Sequence, residues 1–381
     1  MALTALRPRQ IFDGTQIRDG VLLLLDGGRI AGIVGPGDLP AGTLVEELDG
    51  LLAPGFVDAQ VNGGGGAMLN DDPSATTMQR IAAAHRRYGT TSLLPTLITD
   101  QPEAMQRLLS APIGAGVAGL HLEGPHLAPA RKGAHLAELM RPLTEADISV
   151  YIGAATRFPA LVLTLAAEQA SPEQVARLVR GGVTVSLGHT DCDHATALRF
   201  FEAGARGATH LFNAMAPLGH RAPGLPGAVL DHPGAWAGII ADGHHVDPAM
   251  LRIALRAKRG PGRLFLVTDA MALVGSESDS FMLNGRTVSR TDDAGVSRLT
   301  LEDGTLAGSD LDMATALRFA VRQLELPLET ALAMAATWPA DYLGLSDRGR
   351  LQAGQRADLV LLDADLKPSR TWVEGVESPK Q

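Results

Sequence analysis

Five residues of the kinds that bind metals or move protons stand where apolar runs of the chain come to an end. They are Glu123 in HLEGPH, His189 in SLGHT, His210 in THLFN, His245 in ADGHH and Asp269 in VTDA. One carboxylate and two imidazoles suit Zn²⁺ or a similar borderline cation, with a coordination position left over for water. Glu123, His189 and His210 make that trio, with Zn²⁺ the first expectation and Fe²⁺ or Co²⁺ the alternatives. Metal-bound water loses its proton near pH ~7 and becomes a nucleophile. Asp269 could then act as general base, a role that contributes about 10²–10⁴-fold. Each residue alone has a plainer explanation: a strand-end acid caps a helix, and a lone histidine packs. That explanation would have to hold separately at five run ends. The histidines are also unevenly placed, ten of the eleven lying between His121 and His245 and none after. No HExxH-type motif ties the ligands together, so spacing alone is a moderate signal.

Such residues need elements to bring them together. Eight apolar runs recur after the first fifty residues: LLAPGFVDAQVN, TSLLPTLI, VAGLHLEG, LVLTLAAE, GVTVSLGH, GATHLFN, AWAGIIADG and RLFLVTDA. Helix-like segments separate most of them, among them SATTMQRIAAAHRRYG and SPEQVARLVRGG, the latter opening on a Ser-x-x-Gln capping signal. Eight strand–helix units predict an α/β fold of the (β/α)₈ TIM-like barrel type, whose strand carboxyl ends face one active-site mouth. The segment AMAPLGHRAPGLPGAVLDHP has no helical period and reads as a functional loop. FMLNGRTVSRTDDAGVSRLTLEDG reads as two hairpins inserted after the eighth run. Both chain ends are β-like, with an Asp-Gly-Gly hairpin signal in VLLLLDGGRIAGIVG. The expected division is a small β-sandwich domain of residues 1–52 and 346–381 and a barrel of residues 53–345.

Composition narrows the function classes. Apolar residues make up 45% of 381 residues, enough for a large core, and the net charge is −9. No Lys/Arg-rich run appears, which argues against nucleic acid as a partner. The lone Cys192 excludes an internal disulfide and fits a reducing compartment. No run is long enough to span a bilayer, and the first residues carry no secretory h-region. A soluble, cytoplasmic protein is expected.

One stretch asks a further question. APGFVDAQVNGGGG places Gln60 and Asn62 two apart, hence on one face of a strand, at the end of the first barrel run.

The motif set HLEGPH…KGAH, GHT, THLFNAM, RAPGLPGA, IADGHHVD, LVTDAM, TLAGS and GRLQAGQRADLVLLD resembles the N-acetylglucosamine-6-phosphate deacetylases of the amidohydrolase superfamily. The resemblance runs in order over nearly the whole chain. It implies hydrolysis of the acetamide of N-acetylglucosamine 6-phosphate, with Glu123, His189 and His210 as ligands of one metal and Asp269 as acid/base. It puts His135 near the acetyl carbonyl and the Ala134 backbone, Asn213, Ala214, Leu306, Ala307 and Gly308 on the sugar. Arg221 and His245 would bind the phosphate, Arg221 reaching across a homodimer into the neighbouring site. It also bears on Gln60 and Asn62, which stand where many amidohydrolases carry a His-x-His pair for a second metal. Amides are poor ligands for such an ion, so the two would line a second site that holds none; otherwise they bond the Gly63–Gly66 turn.

Several positions depart from the pattern. His126 stands where an apolar or aromatic residue is usual and either alters the pocket mouth or does nothing. His244 competes with His245 for the phosphate. Cys192 is not expected to be a ligand, and His85, His194, His220 and His232 read as surface or loop histidines. The rival functions are an N-acetylgalactosamine-6-phosphate deacetylase, a dihydroorotase or N-acyl amino acid deacylase, and a non-catalytic scaffold. The last would be expected to lose its ligands or its base.

Overall fold

The computed structural model describes residues 3–293 and 296–379. Its centre is an eight-stranded parallel sheet in which every strand pairs with its sequence neighbour. The strands, in chain order, are Phe56–Val61, Thr90–Ile98, Leu120–Glu123, Leu161–Leu165, Thr184–Leu187, Gly207–Ala208, Trp236–Ile240 and Leu264–Val267. Each matches one of the eight apolar runs, the second strand starting one residue earlier than its run. They are almost wholly buried, as parallel strands covered by helices must be. The first and eighth strands close the ring at their carboxyl ends: Asp269 N–H donates to the Gln60 carbonyl at 3.0 Å, and Val61 bridges Ala270.

The helices begin where their local chemistry dictates. Ser74 caps Ala75–Arg86, and Ser171 and Gln174 form a reciprocal capping box on Pro172–Arg180. Asp193 and Asp312 cap His194–Glu202 and Met313–Arg322. The Pro/Gly-rich segment after the sixth strand differs from expectation, because Gly224–Asp231 is a helix. Pro226 sits in its first turn, where the missing N–H would have had no helical partner. The insertion after the eighth strand is an antiparallel three-stranded sheet, Ser280–Leu283, Arg286–Asp293 and Val296–Leu301. It packs Leu283, Val288, Leu299 and Leu301 against Met68, Ile98 and Met271.

The chain ends build two further sheets. One has four strands from the N-terminal segment; the other joins Gln10–Phe12, Ile17–Asp19 and Leu51–Pro54 to Leu359–Leu362, Pro368–Val373 and Val376–Glu377. The two share a core that includes Leu6, Leu23, Ile11, Leu52, Leu361 and Trp372. The chain then enters the barrel through Gly55, where a Cβ would stand 2.2 Å from the Thr91 side chain. Only glycine permits that approach.

Asp58 secures the closing seam. Fully buried on the first strand, it accepts the Thr268 hydroxyl at 2.6 Å and the Gln60 and Thr268 N–H groups at 3.2 and 3.3 Å. Burial pushes its carboxyl up to about 7. Asp58→Ala would strand these buried donors at a cost of about 3 kcal/mol, equivalent for a chain of this length to about 4 °C in Tm. Asp58→Asn keeps an acceptor oxygen and should lose less in the same calorimetric comparison. Equal losses would mean the seam is held by packing alone.

Candidate active site

At the carboxyl ends of the strands lies a cavity of 170 Å³. Asn62, Glu123, Ala134, His135, His189, His210, Asn213, Ala214, His245, Asp269, Leu306 and Gly308 line it, with Ile98, Gly133 and Met271. Ala307 is buried behind this wall, its N–H donating to the Leu299 carbonyl. Gln60 lies against Glu123 and Asp269. Arg221 is exposed and does not line the cavity. A larger cleft of 680 Å³ carries Arg86, Arg87, Arg370 and Glu377 but no histidine.

Glu123 Oε1 lies 3.1 Å from His189 Nε2 and 2.9 Å from His210 Nε2, and the two nitrogens are 3.1 Å apart. All three residues are buried, and their donor atoms form the only such cluster among the described residues. His189 Nδ1 lies 2.8 Å from the Arg131 carbonyl oxygen, which can only accept. Nδ1 therefore carries the proton, and in the neutral ring Nε2 presents a bare lone pair to a carboxylate oxygen. A cation among the three atoms would be met by all of them at once. This donor set fits a metal, with the Arg131 carbonyl orienting one ligand from behind.

Asp269 stands on the eighth strand's end. Its Oδ1 accepts from Asn62 Nδ2 at 2.7 Å and Gln60 Nε2 at 3.0 Å; Gln60 Nε2 also reaches Glu123 Oε1 at 3.3 Å. These amides thus bond the two carboxylates rather than the glycine turn. That turn is instead held by backbone bonds to Ala272 and Val274 and by His85, whose Nε2 lies 2.9 Å from the Gly63 carbonyl. His85 is fully buried in the helix Ala75–Arg86, contrary to its reading as a surface or loop residue. Burial, then the charge of Glu123, raises the Asp269 carboxyl above its ordinary value.

His135 receives the Thr99 backbone N–H on Nδ1 at 3.2 Å, with the Thr99 hydroxyl at 2.9 Å. A backbone N–H can only donate, so the neutral ring carries its proton on Nε2, which lies 3.8 Å from Glu123 Oε2. Burial, reinforced by His189, pushes this ring down to about 3, which keeps it a neutral donor. His245 is the opposite case. Burial works against its charge, yet the 2.6 Å bond from Nδ1 to Asp242 holds it above its ordinary value. Asp242 also accepts the backbone N–H groups of His244 and His245. His244 does not line the cavity.

The remaining positions fall away from the cavity. His126 is fully buried between the Arg141 carbonyl and the Tyr151 hydroxyl, so it is a packed core histidine and not part of a pocket mouth. Cys192 is buried outside the donor cluster, and burial pushes its thiol up to about 11. Thr99, Arg131 and Asp242 act on the site without having stood out in the sequence. Arg131 acts through its backbone, which side-chain type cannot reveal; Asp242, three residues before His245, carried a readable signal.

The backbone is unusual at these positions. His189, His210 and Asp269 have φ of 49°, 33° and 52°, as do Phe212 and Ala214 at 78° and 48°. Non-glycine residues in this region cost of order 1–3 kcal/mol each and cluster where function holds them.

The sequence pattern of the amidohydrolase family matches residues 51–379. The chain belongs to the amidohydrolase family. Among its relatives, this amidohydrolase is 42% identical to the N-acetylgalactosamine-6-phosphate deacetylase of Shewanella sp. (strain ANA-3), the match covering 86% of this chain and 82% of that one. It is 37% identical to the N-acetylglucosamine-6-phosphate deacetylase of Bos taurus, over 85% and 82% of the two chains. The N-acetylglucosamine-6-phosphate deacetylase from Pasteurella multocida superposes with a TM-score of 0.92 at 33% identity, over 99% of this chain and 100% of that one. The deacetylase from Mycobacterium smegmatis, a mutant solved in complex with N-acetyl-D-glucosamine-6-phosphate, gives 0.89 at 32% identity over 99% of each chain.

If the amidohydrolase holds its metal through this trio, exhaustive chelation should strip it and added Zn²⁺ should restore it in elemental analysis. His210→Ala, which removes one donor, should take up Zn²⁺ far more weakly. Wild-type uptake by that variant would remove His210 from the ligand set.

Proposed function

We propose that this amidohydrolase hydrolyses the acetamide of N-acetylglucosamine 6-phosphate to glucosamine 6-phosphate and acetate. The observation that carries this reading is the opposed pair of carboxylates in one small cavity: Glu123 is committed to the metal donors, and Asp269 is tied through one oxygen only. Glu123, His189 and His210 would hold a divalent metal, Zn²⁺ before Fe²⁺ or Co²⁺. One ion per chain is the reading, because the Gln60 and Asn62 N–H groups face Asp269 where further ligands would be needed. Bound there, the metal supplies Lewis acidity toward the acetyl carbonyl and the attacking water.

The chain's own groups do the rest. Asp269 Oδ1 is held by two amides, which leaves Oδ2 to take a proton from the water as it attacks. The same oxygen returns that proton to the departing nitrogen as the C–N bond breaks. The His135 Nε2–H is available to the carbonyl oxygen, where negative charge develops. Asn62 Oδ1, buried without a partner, is an acceptor suited to the substrate's N–H. The Ala134 backbone, Asn213, Ala214, Leu306, Ala307 and Gly308 are assigned to the sugar, with Gln60 supporting from below.

His245, held toward its charged form, suits a phosphate. Arg221 is assigned to the same phosphate in the neighbouring site of a homodimer, where its planar fork suits the phosphate oxygens. Its exposure and lack of a described partner in one chain support that role. A charged sugar phosphate does not cross membranes unaided, so a cytoplasmic location follows from the substrate. No described helix is long and apolar enough to cross a membrane.

A second reading has a specific observation behind it. The Shewanella relative, at 42% identity, is an N-acetylgalactosamine-6-phosphate deacetylase. The two substrates differ at one hydroxyl, so kcat/KM on both 6-phosphates, beside unphosphorylated N-acetylglucosamine, should rank them. A clear preference for the galactosamine epimer would transfer the assignment, and no activity on either would overturn the deacetylase reading.

Asp269→Asn keeps the size and the space but cannot accept a proton. It should lower kcat by at least ~10²-fold with metal content and KM little changed. Loss of metal would make Asp269 chiefly a ligand, and activity within a few-fold of wild type would dismiss it as the base. Arg221→Ala should raise KM for the 6-phosphate far more than it affects the unphosphorylated sugar. If Arg221 acts across a dimer, mixing this variant with Asp269→Asn should restore activity to some sites. Failure to complement would confine Arg221 to its own chain.

A further inference from the structure

Barrel interiors are ordinarily filled by branched apolar residues, yet here a chain of polar groups runs across the interior. The Thr96 hydroxyl lies 3.4 Å from His121 Nδ1, and His121 Nε2 lies 2.8 Å from the Thr164 hydroxyl. Thr164 bonds Thr209 at 2.6 Å, and Thr209 bonds Ser186 at 2.8 Å. Tyr342, from the helix Trp338–Leu343, lies beside Ser186 at the end of the chain. Thr96, His121, Thr164 and Ser186 come from the second to fifth strands, and Thr209 directly follows the sixth. None of the six residues is more than 5% exposed.

The chain tracks the metal donors. His121 precedes Glu123 by two residues on one strand, Ser186 precedes His189 by three, and Thr209 precedes His210 by one. A residual space of 10 Å³ is bounded by Gln60, His121, Ser186, Thr209, Tyr342 and His210, so the chain abuts a donor directly. His189 and His210 also hold left-handed backbone, which persists only where the surroundings over-determine it.

We propose that this buried chain, centred on Thr164, is a positioning device for the metal donors. Directional bonds between strands fix the segments from which Glu123, His189 and His210 project, where apolar packing would let the strand ends slide or the rings turn. The six residues touch no substrate; they act through the donors. This rests on the metal-site reading above and is independent of which sugar is the substrate.

The test uses the full chain loaded with Co²⁺, whose visible spectrum reports coordination geometry, and follows Co²⁺ loss to excess chelator. Thr164→Val is isosteric but breaks two links, so it should release Co²⁺ about 10-fold faster, the low end of what outer-sphere partners of metal ligands contribute. Its spectrum should change, while Thr164→Ser, which keeps the hydroxyl, should restore both. Wild-type release from a folded Thr164→Val, even one with a lowered Tm, would overturn the proposal and leave the chain as packing. If Thr164→Val does not fold, Ser186→Ala breaks one end of the chain. Release accelerated several-fold supports the proposal, and an unchanged rate overturns it. A wild type that holds no Co²⁺ would overturn the metal-site reading and the proposal together.

Discussion

Glu123, His189 and His210 point three electron-rich atoms at one buried spot, within about a hydrogen-bond length of one another. In a low-dielectric interior a positive charge at that spot is strongly favoured. The strands, loops and contacts around the site impose this convergence. The Arg131 carbonyl fixes the His189 ring; the left-handed backbone at His189 and His210 turns each side chain inward from a strand end. Neither feature would persist in a chain free to relax.

The same logic separates the two carboxylates. Glu123 lies between two imidazoles and shares the Gln60 amide, whereas Asp269 is met by neutral amides alone, on one oxygen. Amide N–H groups offer Asp269 partial positive charge without themselves taking up a proton, so its second oxygen keeps its lone pairs. Two other imidazoles lining the cavity diverge in a comparable way. His135, buried against a backbone N–H, is kept neutral, while His245, paired with Asp242, is held toward its cation. One residue type is thus held neutral in one place and toward its cation in another, and the neighbour decides which.

Much of this was legible in the sequence, for identifiable reasons. The eight strands were visible because parallel strands buried on both faces read as continuous apolar runs. The metal donors were visible because a barrel brings strand carboxyl ends to one face, so residues far apart in sequence could be grouped by position alone. Ser171 and Gln174 announced their helix because a cap is a local interaction. What the sequence did not reveal depends on distant contacts. The helix Gly224–Asp231 was hidden by glycine and proline, whose helix-breaking tendency is overridden by the burial of Leu225, Ala228 and Val229. His85 and His126 look like any histidine until Gly63 and Tyr151 arrive from elsewhere in the chain.

Gln60 and Asn62 show where composition and geometry must be combined. Their spacing told that both would face inward, but not what they would face. The answer comes from barrel closure. The first strand meets the eighth only at the ring's seam, and there the Asp269 N–H bonds the Gln60 carbonyl while both side-chain amides reach the Asp269 carboxylate. Fold and chemistry share these bonds. A substitution at Gln60 or Asn62 would therefore act on the Asp269 carboxylate directly, and one at Asp58 or Thr268 would reach it through the seam. Sites built across a closing seam gain rigidity from the fold, and they transmit to the chemistry any strain the seam absorbs.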